Sequence, residues 1–113
     1  MENASAYRLV LVTAPEEAVQ AISAALVSER LAACVNALPG VCSTYRWEGA
    51  VESATEVLLL IKTQALRLPR LEARLRELHP YDVPEIIALP LSEGSGPYLD
   101  WIAQSTMAAG DDA

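Results

Sequence analysis

The sequence predicts an α+β sandwich in which an antiparallel sheet is covered on one side by two helices, and three observations predict it. Hydrophobic residues make up 52% of 113 residues, enough for one core but too short a chain for two ordinary ones, so residues 1–113 read as a single domain ordered over about 7–106. Apolar runs with a two-residue period alternate with runs spaced at three and four residues, in the order strand, helix, strand, strand, helix, strand, helix. The two middle strands are long and meet at one tight turn, Glu48-Gly49-Ala50.

Tyr7 to Val12 carries Leu9, Val10, Leu11 and Val12 in succession, which suits a central strand. Thr13 and Glu16 have the spacing of a capping box, Pro15 suits a first turn, and Glu16 and Glu17 complement the helix dipole. The helix that starts there has the apolar stripe Val19, Ile22, Leu26 and ends near Glu29-Arg30. A long strand from Leu31 to Glu48 is interrupted at Pro39-Gly40, where proline removes a donor and glycine permits a bulge. The returning strand, Ala54 to Thr63, holds the most apolar run, Val57 to Ile61, and places Glu56, Leu58, Leu60 and Lys62 on one face.

Pro69 opens a second helix with Leu68, Leu71, Leu75 and Leu78 on one side. Pro80 and Pro84 stop it near Leu78 or His79. A strand covered on at least one face is expected over Glu85–Leu89, closed by Pro90. After the turn Glu93-Gly94-Ser95-Gly96, Pro97 begins a short helix, and Met107 to Ala113 reads as a frayed tail. Two split βαβ halves plus this short helix make a ferredoxin-like sandwich, βαββαβ with a C-terminal helix. Two helices cannot cover so long a hairpin, so oligomerisation is expected to bury the remaining sheet face.

The formal charge is −7, from 15 acidic and 8 scattered basic residues. Phosphate backbones are repelled, which argues against nucleic acid as a partner. No run approaches the ~20 apolar residues of a membrane helix, and Met1 to Ala6 lacks the features of a signal peptide, so a cytoplasmic location without membrane association is expected. Along an extended chain Cys34 and Cys42 would be roughly 26 Å apart, whereas a disulfide needs about 4.4–6.8 Å between Cα atoms. Two free thiols are expected.

No Gly-rich phosphate loop, paired metal-ligand spacing or nucleophile elbow occurs, and no enzyme activity is expected. The candidates for chemistry are Cys34, Tyr45, Trp47, Glu48, Lys62, His79, Tyr81, Asp82, Glu85 and Trp101. His79 reads either as a metal ligand or general base, or as a cap on the helix carbonyls. Cys34 reads either as a small core residue or as a reactive thiol. Tyr45 and Trp47 share a strand face and suit an interface anchor. Lys62, after five apolar residues, suggests pairing with Glu85 or Glu56. His79, Tyr81, Glu85 and Lys62 are therefore expected to form one polar cluster at the helix-to-strand crossing. One imidazole with one or two carboxylates offers a divalent ion borderline ligands, for which copper leads the affinity order.

The segments Leu31-Ala32-Ala33-Cys34-Val35-Asn36, Pro39-Gly40-Val41, Tyr45-Arg46-Trp47-Glu48-Gly49 and Glu56-Val57, followed by Lys62-Thr63, His79-Pro80-Tyr81-Asp82-Val83-Pro84-Glu85-Ile86 and Tyr98-Leu99-Asp100-Trp101, resemble the CutA family of divalent-cation tolerance proteins. The resemblance runs from about Arg8 to Thr106. It implies a ferredoxin-like fold, a homotrimer with interlocking hairpins and an architecture similar to PII-type signalling proteins. It further implies a metal-responsive, copper-binding function with no required cofactor, a divalent cation such as copper being the implied ligand. Cys34, His79 and Glu85 are the implied metal residues, and Tyr45, Trp47, Glu48, Lys62, Tyr81 and Trp101 the implied cleft. The Cys and His residues that some members add are missing here. A PII-like ligand sensor or an enzyme using the inter-subunit cleft is the alternative.

Overall fold

The computed structural model describes residues 1–108. In chain order the elements are β1 (Glu2–Asn3), β2 (Tyr7–Ala14), α1 (Glu16–Ser28), β3 (Cys34–Trp47), β4 (Ala50–Gln64), a 3-10 turn (Ala65–Arg67), α2 (Leu68–Leu78), β5 (Ile87–Pro90), β6 (Glu93–Gly94) and α3 (Gly96–Ser105). Strands β3, β4, β2 and β5 lie side by side in that order and are antiparallel throughout. This is the split βαβ topology the sequence predicts, and β1 and β6 form a separate two-stranded pair.

Period-two alternation decides which side of the sheet is covered. Val10 opposes Ile61, Val12 opposes Leu59 and Ala14 opposes Val57, and residues directly opposite share a face. All six are buried, packed beneath Ile22 and Leu26 of α1 and Leu71 and Leu75 of α2. The odd-numbered residues of β2 and the even-numbered residues of β4 face the other way. There Leu9, Leu11, Leu58 and Leu60 are only half-buried, and Ile87 and Leu89 of β5 are exposed. Leu99 and Ile102 of α3 form a smaller cluster with Ala4, Ala33 and Tyr7.

Several local expectations change in the folded chain. The capping box does not form, because Pro15 is the N-cap residue and no side chain bonds the free amides of α1, which leaves Glu16 and Glu17 to meet the dipole. Arg30, with φ 61°, turns the chain out of α1, so Leu31 to Ala33 form a buried connection and the strand begins at Cys34. The strand expected from Glu85 starts at Ile87 and is exposed, since β2 pairs it on one side and it forms the sheet edge. The N-terminal residues are held by pairing of Glu2 with Gly94 and Asn3 with Glu93, so ordered structure begins before residue 7. Of the expected frayed tail, residues 109–113 lie outside the described residues, while Thr106 is fully buried and donates to the Ile102 carbonyl.

The Pro39-Gly40 interruption is a register shift between Leu38 and Val41. Leu38 opposes Leu58 but Val41 opposes Glu56, so β3 advances three residues while β4 advances two. One extra residue inverts the facing of everything beyond it. Before the bulge Cys34, Asn36 and Leu38 share a face with Leu60 and Leu58; after it Val41, Ser43, Tyr45 and Trp47 occupy that face. Cys34 and Cys42 therefore sit opposite Lys62 and Thr55, far apart along the hairpin, and both are free thiols.

At the hairpin tip Glu48 and Gly49 both have positive φ, 48° and 82°, the combination that a tight two-residue turn with the strands' own twist requires. Gly49 has open space where a Cβ would stand, so a Gly49→Ala variant meets only the backbone cost. We expect it to lose about 1–2 kcal/mol of stability, read as an earlier midpoint in urea with an unchanged slope.

Candidate functional site

The functional geometry starts where α2 ends. His79 is the C-cap residue of α2, and its backbone N–H, not its ring, satisfies the helix by donating to the Leu75 carbonyl. The ring is buried and spans two elements. Its Nδ1 accepts from the Tyr81 N–H at 3.1 Å, which leaves Nε2 to carry the proton and donate to the Thr13 carbonyl at 2.8 Å. His79 is thus a neutral strut between the end of β2 and the loop after α2, with neither ring nitrogen open to a metal ion in this arrangement.

The bond to His79 orients Tyr81, whose ring stacks obliquely on the imidazole at 4.7 Å. The Tyr81 hydroxyl donates to Glu56 Oε2 at 2.8 Å. Glu56 is 7% exposed, and a carboxylate so deeply placed requires a strong donor or a cation. Among the described residues the ion pairs join Arg74 to Glu29 and Glu77, and Arg76 to Glu72, so Glu56 has only the neutral phenol. Burial, the bond to Glu56 and the charge of Glu56 push the Tyr81 phenol up to about 12, which keeps it a donor at neutral pH.

A cavity of about 540 Å³ opens above this pair. Tyr45 and Trp47, placed on the Glu56 face by the bulge, form its aromatic wall; Thr13 and Ser43 line it, and Asp82 and Glu85 add two further carboxylates. Among the described residues no Lys, Arg or His side chain lines it.

Lys62, Cys34 and Trp101 lie elsewhere. Lys62 is opposite Cys34, at the other end of the sheet from the cavity, and donates to the Asn36 amide oxygen; Cys34 Sγ is 3.6 Å from the same oxygen. The expected pairing of Lys62 with Glu85 or Glu56 is replaced by this bond, because Lys62 and Glu56 are six residues apart along β4, roughly 20 Å of extended strand, and Glu85 lies with Glu56 at the cavity. Trp101 packs against Tyr98 on α3, their rings 5.5 Å apart, and burial, then the neighbouring Cys34, raise the Tyr98 phenol above its usual range. Glu48 is in the hairpin turn and outside the cavity lining. The predicted polar cluster is therefore two clusters: His79, Tyr81 and Glu56 at one end, and Lys62, Asn36 and Cys34 at the other. Cys34, His79 and Glu85 do not converge, and among the described residues no three His, Cys, Asp or Glu side chains are grouped to hold a metal ion. Glu56 was the residue that sequence reasoning left outside the site; its signal is a carboxylate that shares a strand face with Leu58 and Leu60.

The fold and this site define an α+β protein of the ferredoxin-like class whose distinguishing part is an overlong bulged hairpin with an aromatic and acidic cavity at its base. Residues 8–105 match the family model described as CutA1 divalent ion tolerance protein, and the chain belongs to that family. It is 54% identical over 99 residues to the divalent-cation tolerance protein CutA of Thermus thermophilus, covering 87% of this chain and 96% of that one. It is 48% identical over 101 residues to protein CutA of Homo sapiens, covering 88% of this chain but 56% of the human one, so it spans about half the length of that relative. The solved structure of the Thermus thermophilus divalent cation tolerance protein superposes with a TM-score of 0.87 at 52% identity over 89% of this chain and 99% of that chain. CutA from Xylella fastidiosa superposes with a TM-score of 0.89 at 46% identity over 91% and 100%.

Removing the Tyr81 hydroxyl leaves Glu56 buried without a donor. A Tyr81→Phe variant is expected to lose about 1–3 kcal/mol at pH 7. Because the folded phenol titrates above its ordinary value of 10.0, the native state holds the proton longer than the unfolded chain. The parent's advantage is then full below pH 10 and shrinks as pH rises through about 12. Urea titrations of both proteins at pH 7 and pH 11 check this; a gap that widens at pH 11 contradicts it.

Proposed function

We propose that this chain acts as a cytoplasmic, homotrimeric, metal-responsive protein of divalent-cation tolerance that holds copper weakly and catalyses no reaction. The observation that carries the assembly is the second sheet face, where Leu9, Leu11, Leu58 and Leu60 are half-buried and Ile87 and Leu89 are exposed at an unpaired edge. A face so apolar, ending in an open strand edge, is stable in water when another surface covers it. A trimer is the assembly implied by the resemblance to the family, and the Thermus thermophilus relative is called a divalent-cation tolerance protein.

The metal reading draws on the carboxylates Glu56, Asp82 and Glu85 around one cavity and on a net charge of −7. Because Cys34, His79 and Glu85 of one chain do not meet, and both nitrogens of His79 are engaged, copper affinity is expected to be modest. The second reading, a small-ligand sensor using this cavity, is favoured by the cavity's volume of about 540 Å³, within the range of small-molecule sites. Its acidic lining disfavours nucleotides and acyl phosphates.

Light scattering at micromolar concentration is expected to give three times the chain mass of 12.1 kDa, and a Leu60→Asp variant is expected to dissociate. A parent that stays monomeric overturns the assembly. For the metal, His79→Ala is expected to melt lower, by about 1–3 kcal/mol for the lost bridge, while the heat of copper titration stays as weak as in the parent. Tight copper binding by the parent that disappears in His79→Ala would reverse this assignment.

A further inference from the structure

We infer that the Glu56 carboxylate of one protomer pairs with the Lys62 ammonium of its partner, and that this ion pair sets the register of every subunit boundary. The pairing rests on the homotrimer proposed above and names the groups that meet there. Both residues belong to β4 and, six positions apart, lie on the same partly covered face as Leu58 and Leu60. Glu56 is 7% exposed, and the donor it has is the neutral Tyr81 hydroxyl. Lys62 is half-buried, and the acceptor it has is the neutral Asn36 amide oxygen. Roughly 20 Å of extended strand keeps the two charges apart within one chain. A second copy laid on this face takes the remaining water from both, and an ion desolvated without a counter-ion bears its full desolvation cost. The covering chain therefore has to bring a cation to Glu56 and a carboxylate to Lys62, and an identical chain carries both.

Strand parity leaves one candidate for the cation. Arg8 of β2 falls on the covered face with Val10 and Val12, and Arg46 of β3 falls, beyond the bulge, on the side opposite Tyr45 and Trp47. Lys62 is the basic residue that the strands of the main sheet place on the face of Glu56. Both groups are prepared for the contact. Tyr81 occupies Oε2 of Glu56 and leaves Oε1 to accept, while Asn36 takes one of the three donors of the ammonium. Each charge is thus held by a neutral neighbour before the partner arrives, which lowers the ordering cost of association. The face is acidic at its Tyr81 end and basic at its Asn36 end, so copies that overlap by opposite ends attract and copies aligned alike repel. In a closed ring of three, every Glu56 and every Lys62 is used once and none is left over. Pairing also withdraws Glu56 from metal ions in the assembled protein, in keeping with the modest copper affinity proposed above.

A charge-reversal cycle tests the pair. Light scattering is followed over a dilution series, in urea just below the concentration that dissociates the parent. Lys62→Glu and Glu56→Lys are each expected to raise the midpoint concentration for dissociation at least about tenfold. The double variant is expected to recover at least about tenfold of that loss, because the Tyr81 hydroxyl and the Asn36 amide can each serve the opposite charge. Circular dichroism establishes that each variant is folded. The parent supplies a second measurement that needs no variant: Lys62 is its only lysine, so carbodiimide coupling is expected to give covalent dimers and trimers whose Lys62 junction maps to Glu56. A folded Lys62→Glu trimer as tight as the parent, a double variant no better than the singles, or a Lys62 junction to another carboxylate such as Glu52 overturns the pair and leaves the trimer standing. A monomeric parent overturns the trimer itself, and the pair with it.

Discussion

One additional residue in β3 is the constraint on which the rest of this molecule depends. Between Leu38 and Val41 the hairpin slips by a single residue, and every side chain beyond that point exchanges faces. Without the slip, Thr44 and Arg46 would lie on the Glu56 side and the two aromatic rings would face the opposite way. With it, Tyr45 and Trp47 line the same cavity as the buried Glu56. Pro39 and Gly40 permit the irregularity: proline has no amide to leave unpaired, and Gly40, at φ 77°, takes a backbone angle that side-chain-bearing residues avoid. The cavity is thus a consequence of strand pairing before it is a matter of side-chain chemistry.

The same hairpin accounts for the molecule's shape and for its unfinished surface. β3 and β4 are 14 and 15 residues long, while β2 and β5 are 8 and 4. The long pair therefore runs past the layer that α1 and α2 can cover, and the chain measures 51 × 29 × 21 Å. Within the covered part, Val10, Val12, Leu59 and Ile61 are fully enclosed. Beyond it the hairpin carries polar and half-exposed residues on both sides. The sheet thus has one complete and one partial covering, and the partly covered face is the observation on which the proposed assembly rests.

His79, Tyr81 and Glu56 tie these parts together through a short relay. A carbonyl at the end of β2, an imidazole at the end of α2, a phenol in the following loop and a carboxylate on β4 are joined by successive hydrogen bonds. Each member is held by the one before it, so the orientation of Glu56 depends on how α2 stops. Pro80 and Pro84 restrict the intervening backbone, and little conformational freedom is lost in presenting the phenol. The lone histidine is therefore a positioning residue in this chain, holding the tyrosine that donates to Glu56.

The sequence by itself determined the order of the helices and of the four strands of the main sheet, the single long hairpin with its Glu48-Gly49 turn, the bulge at Pro39-Gly40, the end of α2 near His79 and the separation of Cys34 from Cys42, but not the small β1–β6 pair. All of these are local: apolar spacing, proline and glycine restrictions and contour length act over a few residues, and the resemblance to the family followed from the same stretches. Tertiary structure alone decided which partners meet. Lys62 reads as a partner for a carboxylate until strand register sets it opposite Cys34 and beside Asn36. Ile87 and Leu89 read as part of a covered strand until the topology places that strand at an edge. Glu56 reads as one polar residue in an apolar run until a bulge on the neighbouring strand and a tyrosine 25 positions away enclose it. In each case the deciding quantity is a pairing register or a contact between distant segments, and the two-residue period of one strand carries no information about how the strand beside it is aligned.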